Sequence, residues 1–364
     1  MNKPVRHIAF VISCLKGGGA ERVISGLANY FVNLDYKVSV IYLDKHKDFY
    51  FLDEKINRYQ IEYSRNIGNF FLGLINTRKR ILAICKMIQK VNPEIVISFI
   101  TDINVLTVLA CRNLNVPVII SERTNPGKYQ IPRRWKIAAR LFYPLADKMI
   151  LQTDRAKKYY NYLPSSKIAI VPNPVFKRAI QDNVEKEKII LAVGRLEYPK
   201  GFDLLIQAFS KTQAKKDWQL IIAGEGSERQ NLEGQIMSCG LDSNVSLVGF
   251  QLDIENFYSR ASLFALSSRY EGYPNALAEA MNFGLPCISF NCDFGPAEMI
   301  KNGENGILIE PGNTEQLARG IDNLINDSEK RDRLGKNAAV TRKDSGIRLI
   351  AKKWETIFDD LCSW

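Results

Sequence analysis

Two carboxylates, Glu271 and Glu279, stand eight residues apart in the stretch Ser268-Arg-Tyr-Glu-Gly-Tyr-Pro-Asn-Ala-Leu-Ala-Glu279. The stretch reads as the start of a helix. Pro274 suits a first turn, Gly284 a helix end, and Leu277, Ala278 and Met281 a buried face. Glu271 would then sit just before the first turn and Glu279 about two turns along, at ~1.5 Å per residue. The helix N-terminus between them favours an anion. One acid can grip hydroxyls near a bound phosphate while the other grips hydroxyls further away. That arrangement suits a nucleotide-sugar.

Glycines and cations recur at other strand ends. Gly194-Arg195-Leu196 closes one strand, and Lys200-Gly201 is expected to open the next helix. Ligands bind at the carboxyl ends of strands in open α/β sheets. Arg195, as a fork, and Lys200, as a point charge, can hold a diphosphate from two sides; equally, cations near loops are common without a ligand. Gly224-Glu225-Gly226 ends the next strand and allows a close backbone approach, or is an ordinary turn. Phe294-Gly295-Pro296 precedes a short helix expected over 297–300. The N–H groups of Phe294 and Gly295 can meet a sugar or phosphate, or simply cap that helix. Gly17-Gly18-Gly19 offers the same service early in the chain. It is not a dinucleotide fingerprint, because the third glycine position falls on Arg22, which speaks against a nicotinamide enzyme.

These residues need two sheets to position them. Apolar runs over 7–14, 38–43, 95–99, 118–120 and 148–152 predict parallel strands, with helices over 20–34 and 77–90 among those between them. Val171-Pro172-Asn173-Pro174 and the charged stretch after it break the pattern. It restarts with strands over 189–193, 220–223, 245–248, 263–266 and 287–290. The expected organisation is an α/β chain of two Rossmann-like, doubly wound domains facing a central cleft. The first spans 1–172, a linker 173–188, the second 189–346, and a final helix over 347–364 can cross back to the first domain. The 364 residues fit two domains.

A hydrophobic content of 46% and a mean hydropathy of −0.16 suit a soluble globular protein. No apolar run is long enough to span a membrane. The charged start leads straight into a strand, so no cleaved leader is expected. Seven scattered cysteines lack metal-ligand spacing, and those flanking a strand end, Cys287 and Cys292, read as buried or free thiols. A reduced, cytoplasmic setting follows. The net charge of +11 is uneven: residues 1–180 carry 29 Lys and Arg against 12 Asp and Glu, whereas 181–364 are net acidic. The basic half invites an anionic partner: nucleic acid, a membrane face or a phosphorylated acceptor.

From Gly194 to Gly306 the chain resembles the donor domain of the retaining family 4 glycosyltransferases of GT-B fold. The matching pieces are Gly194-Arg195-Leu196 with Lys200-Gly201, Ala223-Gly224-Glu225-Gly226, Glu271 to Glu279, Gly284-Leu285-Pro286, and Gly295-Pro296-Ala297-Glu298 with Asn305-Gly306. Gly18-Gly19-Ala20-Glu21-Arg22 matches the family's first-domain loop. The resemblance implies that Arg195 and Lys200 bind the donor diphosphate, Glu279 the ribose hydroxyls and Glu271 the transferred sugar. It makes Glu271, Arg195 and Lys200 the catalytic residues, with Gly18, Gly19, Gly194, Glu225, Phe294, Gly295 and Glu279 at the donor. Members that extend bacterial lipid-linked oligosaccharides or surface polysaccharides look most similar. Several carry a Ser-Glu-His stretch, whereas Ser121-Glu122-Arg123 places Arg123 at the histidine position. The two histidines lie elsewhere: His7, at a strand start, reads as structural, and His46 has no evident role. Asp102 is the best first-domain carboxylate candidate for the cleft, although a loop-cap role fits it better. No Asp-x-Asp pair is present, so metal and cofactor are both expected to be none, and Lys and Arg neutralise the leaving group.

From Arg123 to Ala146 there is no acidic residue. A helix over 132–143 would carry Arg133, Arg134, Lys136 and Arg140 on one side, while Ile137 and Leu141 are expected to pack on the sheet. With Arg123, Lys128 and the basic helix over 77–90, these cations suit an anionic membrane surface. The expected partners are a nucleotide-sugar, by the family resemblance a UDP-sugar, a polyprenyl-diphosphate-linked saccharide acceptor and the inner face of the cytoplasmic membrane. Two rivals fit less well. A nucleotide-sugar 2-epimerase would use histidines that this chain scarcely has. A non-catalytic nucleic-acid-binding protein leaves Glu271 and Glu279 unexplained.

Overall fold

In the computed structural model, residues 7–15, 17–44, 49–61, 70–123, 127, 131–176, 184–342 and 345–362 are described. Part of the expected linker (177–183), His46, residues 124–126, Lys128 and Tyr129 lie outside them. The chain divides into two compact units, 1–174 with 347–364, and 175–346.

The first unit holds seven strands: β1 (His7–Ile12), β2 (Lys37–Tyr42), β3 (Asn57–Gln60), β4 (Ile95–Phe99), β5 (Val118–Ser121), β6 (Lys148–Leu151) and β7 (Ile168–Ile170). All pair in parallel in the order β3-β2-β1-β4-β5-β6-β7. β1 is buried on both faces, which is why it reads as an unbroken apolar run. Side chains alternate along it. Ile8, Phe10 and Ile12 join one core with Leu27 and Phe31, and with Trp354 and Phe358 of the last helix (Ile347–Cys362). Ala9 and Val11 join the opposite core with Ile84, Ile88 and Leu106.

The second unit holds β8 (Ile189–Val193), β9 (Gln219–Ala223), β10 (Val245–Gly249), β11 (Leu263–Leu266), β12 (Cys287–Phe290) and β13 (Ile307–Ile309). These are parallel in the order β10-β9-β8-β11-β12-β13. The strand order reverses between β8 and β11, and in the first unit between β1 and β4. Such switch points are where doubly wound sheets bind ligands. Two Rossmann-like parallel sheets are therefore present.

Three local expectations differ from the structure. Lys200 does not open a helix: Tyr198–Lys200 is a 3-10 turn, and the helix Phe202–Ser210 starts after Gly201, whose φ of 63° halts the first turn. Asp102 is no loop cap but lies in the first turn of the helix Thr101–Cys111, preceded by Ile100 at φ 75°. Ile137 and Leu141 do not pack on the sheet: they are 52% and 64% exposed. In the helix Arg133–Phe142 the inward stripe is instead Trp135, Ala138, Ala139 and Phe142, at spacings of three and four. Small alanines allow close approach to the core, so the larger Ile137 and Leu141 are left outside among the cations.

Candidate active site

The second unit gathers its polar groups at the carboxyl ends of β8, β9 and β11. β8 runs into Gly194, and β9 into Gly224, whose φ is 153°. A Cβ on Gly224 would lie 1.8 Å from the Gly194 carbonyl oxygen, so only glycine lets the two strand ends come this close. Gly194 in turn lies against the Lys200 stem, where a Cβ would stand 3.4 Å from Lys200 Cδ. Arg195 is exposed beside it.

The Lys200 ammonium donates to Glu271 Oε1 at 2.7 Å, and Ser268 Oγ donates to the same oxygen at 2.6 Å. Glu271 is only 7% exposed, so this charge sits in a poorly solvated position with a cation in contact. Lys200 has three donors, which leaves capacity for a second anion. The thiol of Cys292, near this pair, is pushed up to about 12 by burial and by the Glu271 charge.

Glu279 lies in the helix Asn275–Asn282, two turns on from the loop that holds Glu271. It is 5% exposed, and the Tyr258 hydroxyl donates to its Oε2 at 3.1 Å. Tyr258 is itself held by rings: Phe283 at 5.3 Å and Phe264 at 6.1 Å between centroids. Pro274 precedes this helix as its cap residue. The Phe294-Gly295 turn lies against it, both residues at positive φ, and a Cβ on Gly295 would meet Pro274 Cδ at 2.1 Å. The two helix starts at Asn275 and Pro296 are thus held side by side.

Glu225 is differently engaged: its carboxylate pairs with Arg229 at 3.1 Å, and its carbonyl accepts from the Leu196 N–H at 2.9 Å. The structure therefore brings Gly194, Lys200 and Glu271 together, places Glu279 on the adjoining helix, and turns the Glu225 side chain to Arg229. Tyr258 escaped sequence reasoning because no motif includes it. Ser268 was within reach, three residues before Glu271.

In the first unit, Gly18 caps the helix Gly19–Val32, and the Arg22 N–H donates to its carbonyl at 3.1 Å. The Arg123 guanidinium lies 4.7 Å over the Phe99 ring and donates to Asn173 Oδ1. Arg133, Arg134 and Lys136 are exposed on one helix. A second polar cluster, absent from the expectations, surrounds Glu122. Its carboxylate accepts from the Tyr143 hydroxyl, from Thr101 Oγ1 at 3.1 Å and from Asn104 Nδ2 at 3.3 Å. Ser98 Oγ donates to Asn104 Oδ1 at 2.8 Å and fixes that amide. Burial pushes the Glu122 carboxyl up to about 7, against the lowering effect of these donors. His7 is structural: its Nε2 lies 3.0 Å from Ser39 Oγ, and burial lowers its affinity for a proton.

Residues 17–176 match the family described as Glycosyltransferase Family 4, and residues 176–341 that described as Glycosyl transferases group 1. An uncharacterized glycosyltransferase of Haemophilus influenzae is 30% identical over 359 residues, 96% of this chain and 98% of the relative. This chain belongs to the family 4 glycosyltransferases. A second relative of this glycosyltransferase is from Campylobacter jejuni, 28% identical over 95% of this chain and 96% of its own. It is named GalNAc-alpha-(1->4)-GalNAc-alpha-(1->3)-diNAcBac-PP-undecaprenol alpha-1,4-N-acetyl-D-galactosaminyltransferase. Among solved structures, HepE of Anabaena in complex with UDP and glucose matches with a TM-score of 0.80 at 19% identity, over 98% of this chain and 99% of that one. This likeness concerns the fold, which is GT-B. Among the described residues of the glycosyltransferase, no group of His, Cys, Asp or Glu could hold a metal ion, and no helix is long and apolar enough to cross a membrane.

Proposed function

We propose that this glycosyltransferase moves a hexose or N-acetylhexosamine from a UDP-sugar to a polyprenyl-diphosphate-linked saccharide, with retention and without a metal. The observation that carries the reading is the Lys200–Glu271 pair at 2.7 Å, with Glu279 buried on the adjoining helix. Lys200 can contact Glu271 and the donor's diphosphate at once, and Arg195 adds a second cation as the leaving group gains charge. Glu271 accepts from hydroxyls of the transferred sugar. Glu279, oriented by Tyr258, accepts from the ribose. Arg123 serves the acceptor, and the glycines Gly18 and Gly19 close over the phosphate of the donor or over the acceptor. With the donor held in this way, the leaving phosphate itself assists the acceptor hydroxyl, and the protein contributes positioning and charge stabilisation. The Campylobacter relative's name supports a lipid-linked acceptor.

A panel of UDP-sugars offered with extracted lipid-linked saccharides, read by mass of the extended lipid, tests this. One UDP-sugar should extend the lipid, in EDTA as well as without it. Turnover that chelation abolishes and Mg²⁺ restores would overturn the metal-free site.

Exposed Ile137 and Leu141 beside Arg133, Arg134 and Lys136 support docking of the first unit on the anionic inner face of the cytoplasmic membrane. Each cation near such a surface contributes about 1 kcal/mol. Replacing the three by Ser should release the protein from anionic vesicles and slow turnover of lipid acceptor far more than that of a short soluble one. Equal losses on both acceptors would place these cations in the fold instead.

A further inference from the structure

Lys200 is a flexible side chain on a short turn, so its charge is useful only where its backbone is held. The turn Tyr198–Lys200 follows β8, whereas its partner Glu271 belongs to the loop after β11. The Arg269 side chain makes most of the ties between the two. The Arg269 guanidinium donates twice to Asp203, at 2.8 Å to Oδ1 and 2.5 Å to Oδ2, and once to the Tyr198 carbonyl at 2.9 Å. Its plane lies 4.1 Å from the centroid of the Tyr198 ring. The Arg269 N–H donates to the Pro199 carbonyl at 2.8 Å, and Ser267 Oγ to the Lys200 carbonyl at 3.1 Å. A Cβ on Gly201 would fall 2.1 Å from the Ser267 carbonyl oxygen, so the two segments touch backbone to backbone there. Residues on both sides of Lys200 are thus gripped by 267–269, while the guanidinium is committed to protein acceptors. A planar fork suits such bidentate holding in a way that an ammonium does not.

We propose that Arg269 and Asp203 are positioning residues, a clamp that sets the Lys200 ammonium for the donor diphosphate. The proposal rests on the reading of Lys200 as a donor-binding cation. Asp203 and Arg269 touch neither donor nor acceptor; they act by fixing the turn that carries Lys200. Displacement of a catalytic group by about 1 Å can cost on the order of a hundredfold in rate.

The test is a double-mutant cycle on the full-length enzyme, with kcat, donor KM and thermal midpoint measured for Asp203→Asn, Arg269→Lys, Lys200→Ala and Asp203→Asn with Lys200→Ala. Asp203→Asn and Arg269→Lys should each lower kcat/KM by between about tenfold and a hundredfold, the range expected for a misplaced catalytic group. Asp203→Glu, which keeps the charge, should recover much of the loss. In the Lys200→Ala background, Asp203→Asn should cost almost nothing more, because the group it positions has gone. An equal loss in both backgrounds would overturn the clamp. So would a lower thermal midpoint with unchanged kcat and KM well below the transition, which would make the contact one of stability alone. If Lys200→Ala itself turns over like wild type, the reading of Lys200 falls, and the clamp with it, an outcome distinct from either of the others.

Discussion

Each unit holds a carboxylate near the carboxyl end of its sheet, buried in the first unit and half-buried in the second, and they hold it by opposite means. In the second unit Asp203 lies under the Arg269 fork. Burial alone would push its carboxyl up, but the hydrogen bonds and charge of Arg269 outweigh this and hold it below its ordinary value. In the first unit Glu122, 2% exposed, is met by the neutral donors Tyr143, Thr101 and Asn104, and its carboxyl rises to about 7. Three neutral hydrogen bonds do not replace the water that a fully buried carboxylate has lost, whereas one forked cation suffices for a half-buried one. The Asp203–Arg269 pair of the second unit therefore keeps its charges. The first unit carries a proton that can leave near neutrality.

The comparison breaks most readily at the fixed charges. Replacing Arg195 and Lys200 together by Ala should lower kcat by at least about a hundredfold, the usual cost of losing one donor to developing negative charge. A double variant that keeps more than a tenth of wild-type turnover would remove both from the chemistry. Next comes the titrating group. The unfolded chain loses the Glu122 proton near pH 4.5, while the native protein keeps it to about pH 7. The native state therefore binds more protons across that window, and stability falls as the pH rises through it. At ~1.4 kcal/mol per unit of difference, the loss is on the order of 3 kcal/mol. Urea unfolding of Glu122→Gln, which mimics the neutral acid, should show a shallower decline from pH 5 to 8 than wild type. Parallel curves would mean that Glu122 is not the titrating group. The smallest effect has the opposite sign. Asp203 stabilises fully above its unfolded value near 3.8, and that contribution is lost as the pH falls through its lower native value. Solvent screening of this half-exposed pair keeps it under about 1 kcal/mol. Asp203→Asn should thus lose less stability than wild type between pH 4 and pH 2, by a margin that only careful unfolding curves resolve.

Much of this was legible in the residues. Strands buried on both faces read as apolar runs, and those at 95–99, 189–193, 263–266 and 287–290 have the expected ends. The strands that escaped are edge or near-edge ones: β3, with its polar Asn57-Arg58-Tyr59-Gln60, and the three-residue β7 and β13. An edge strand needs neither an apolar run nor length. At the site, Glu271, Glu279 and Lys200 announce themselves by charge type at strand ends and helix starts. Tyr258 does not, because it reaches Glu279 from 21 positions away. Asp203 and Arg269 lie 66 positions apart and meet only once the sheet has formed. Ile137 and Leu141 were misplaced because the helix Arg133–Phe142 offers two apolar stripes, and the one rich in alanine is the buried one.

The last helix bears on how the protein is made. Ile350, Ala351, Trp354, Ile357 and Phe358 complete a core that begins at Ile8, with Trp354 stacked 6.4 Å from Phe99 and Phe358 5.6 Å from Phe31. The strands of the first sheet are translated before residues 175–346, yet their core is completed by residues translated after them. Residues 175–346 are contiguous and can fold while translation continues. Until the helix Ile347–Cys362 emerges, Phe31 has only Tyr30 and Tyr36 and Phe99 only Phe10 as ring partners, and the nascent chain carries an open apolar face for which chaperones compete.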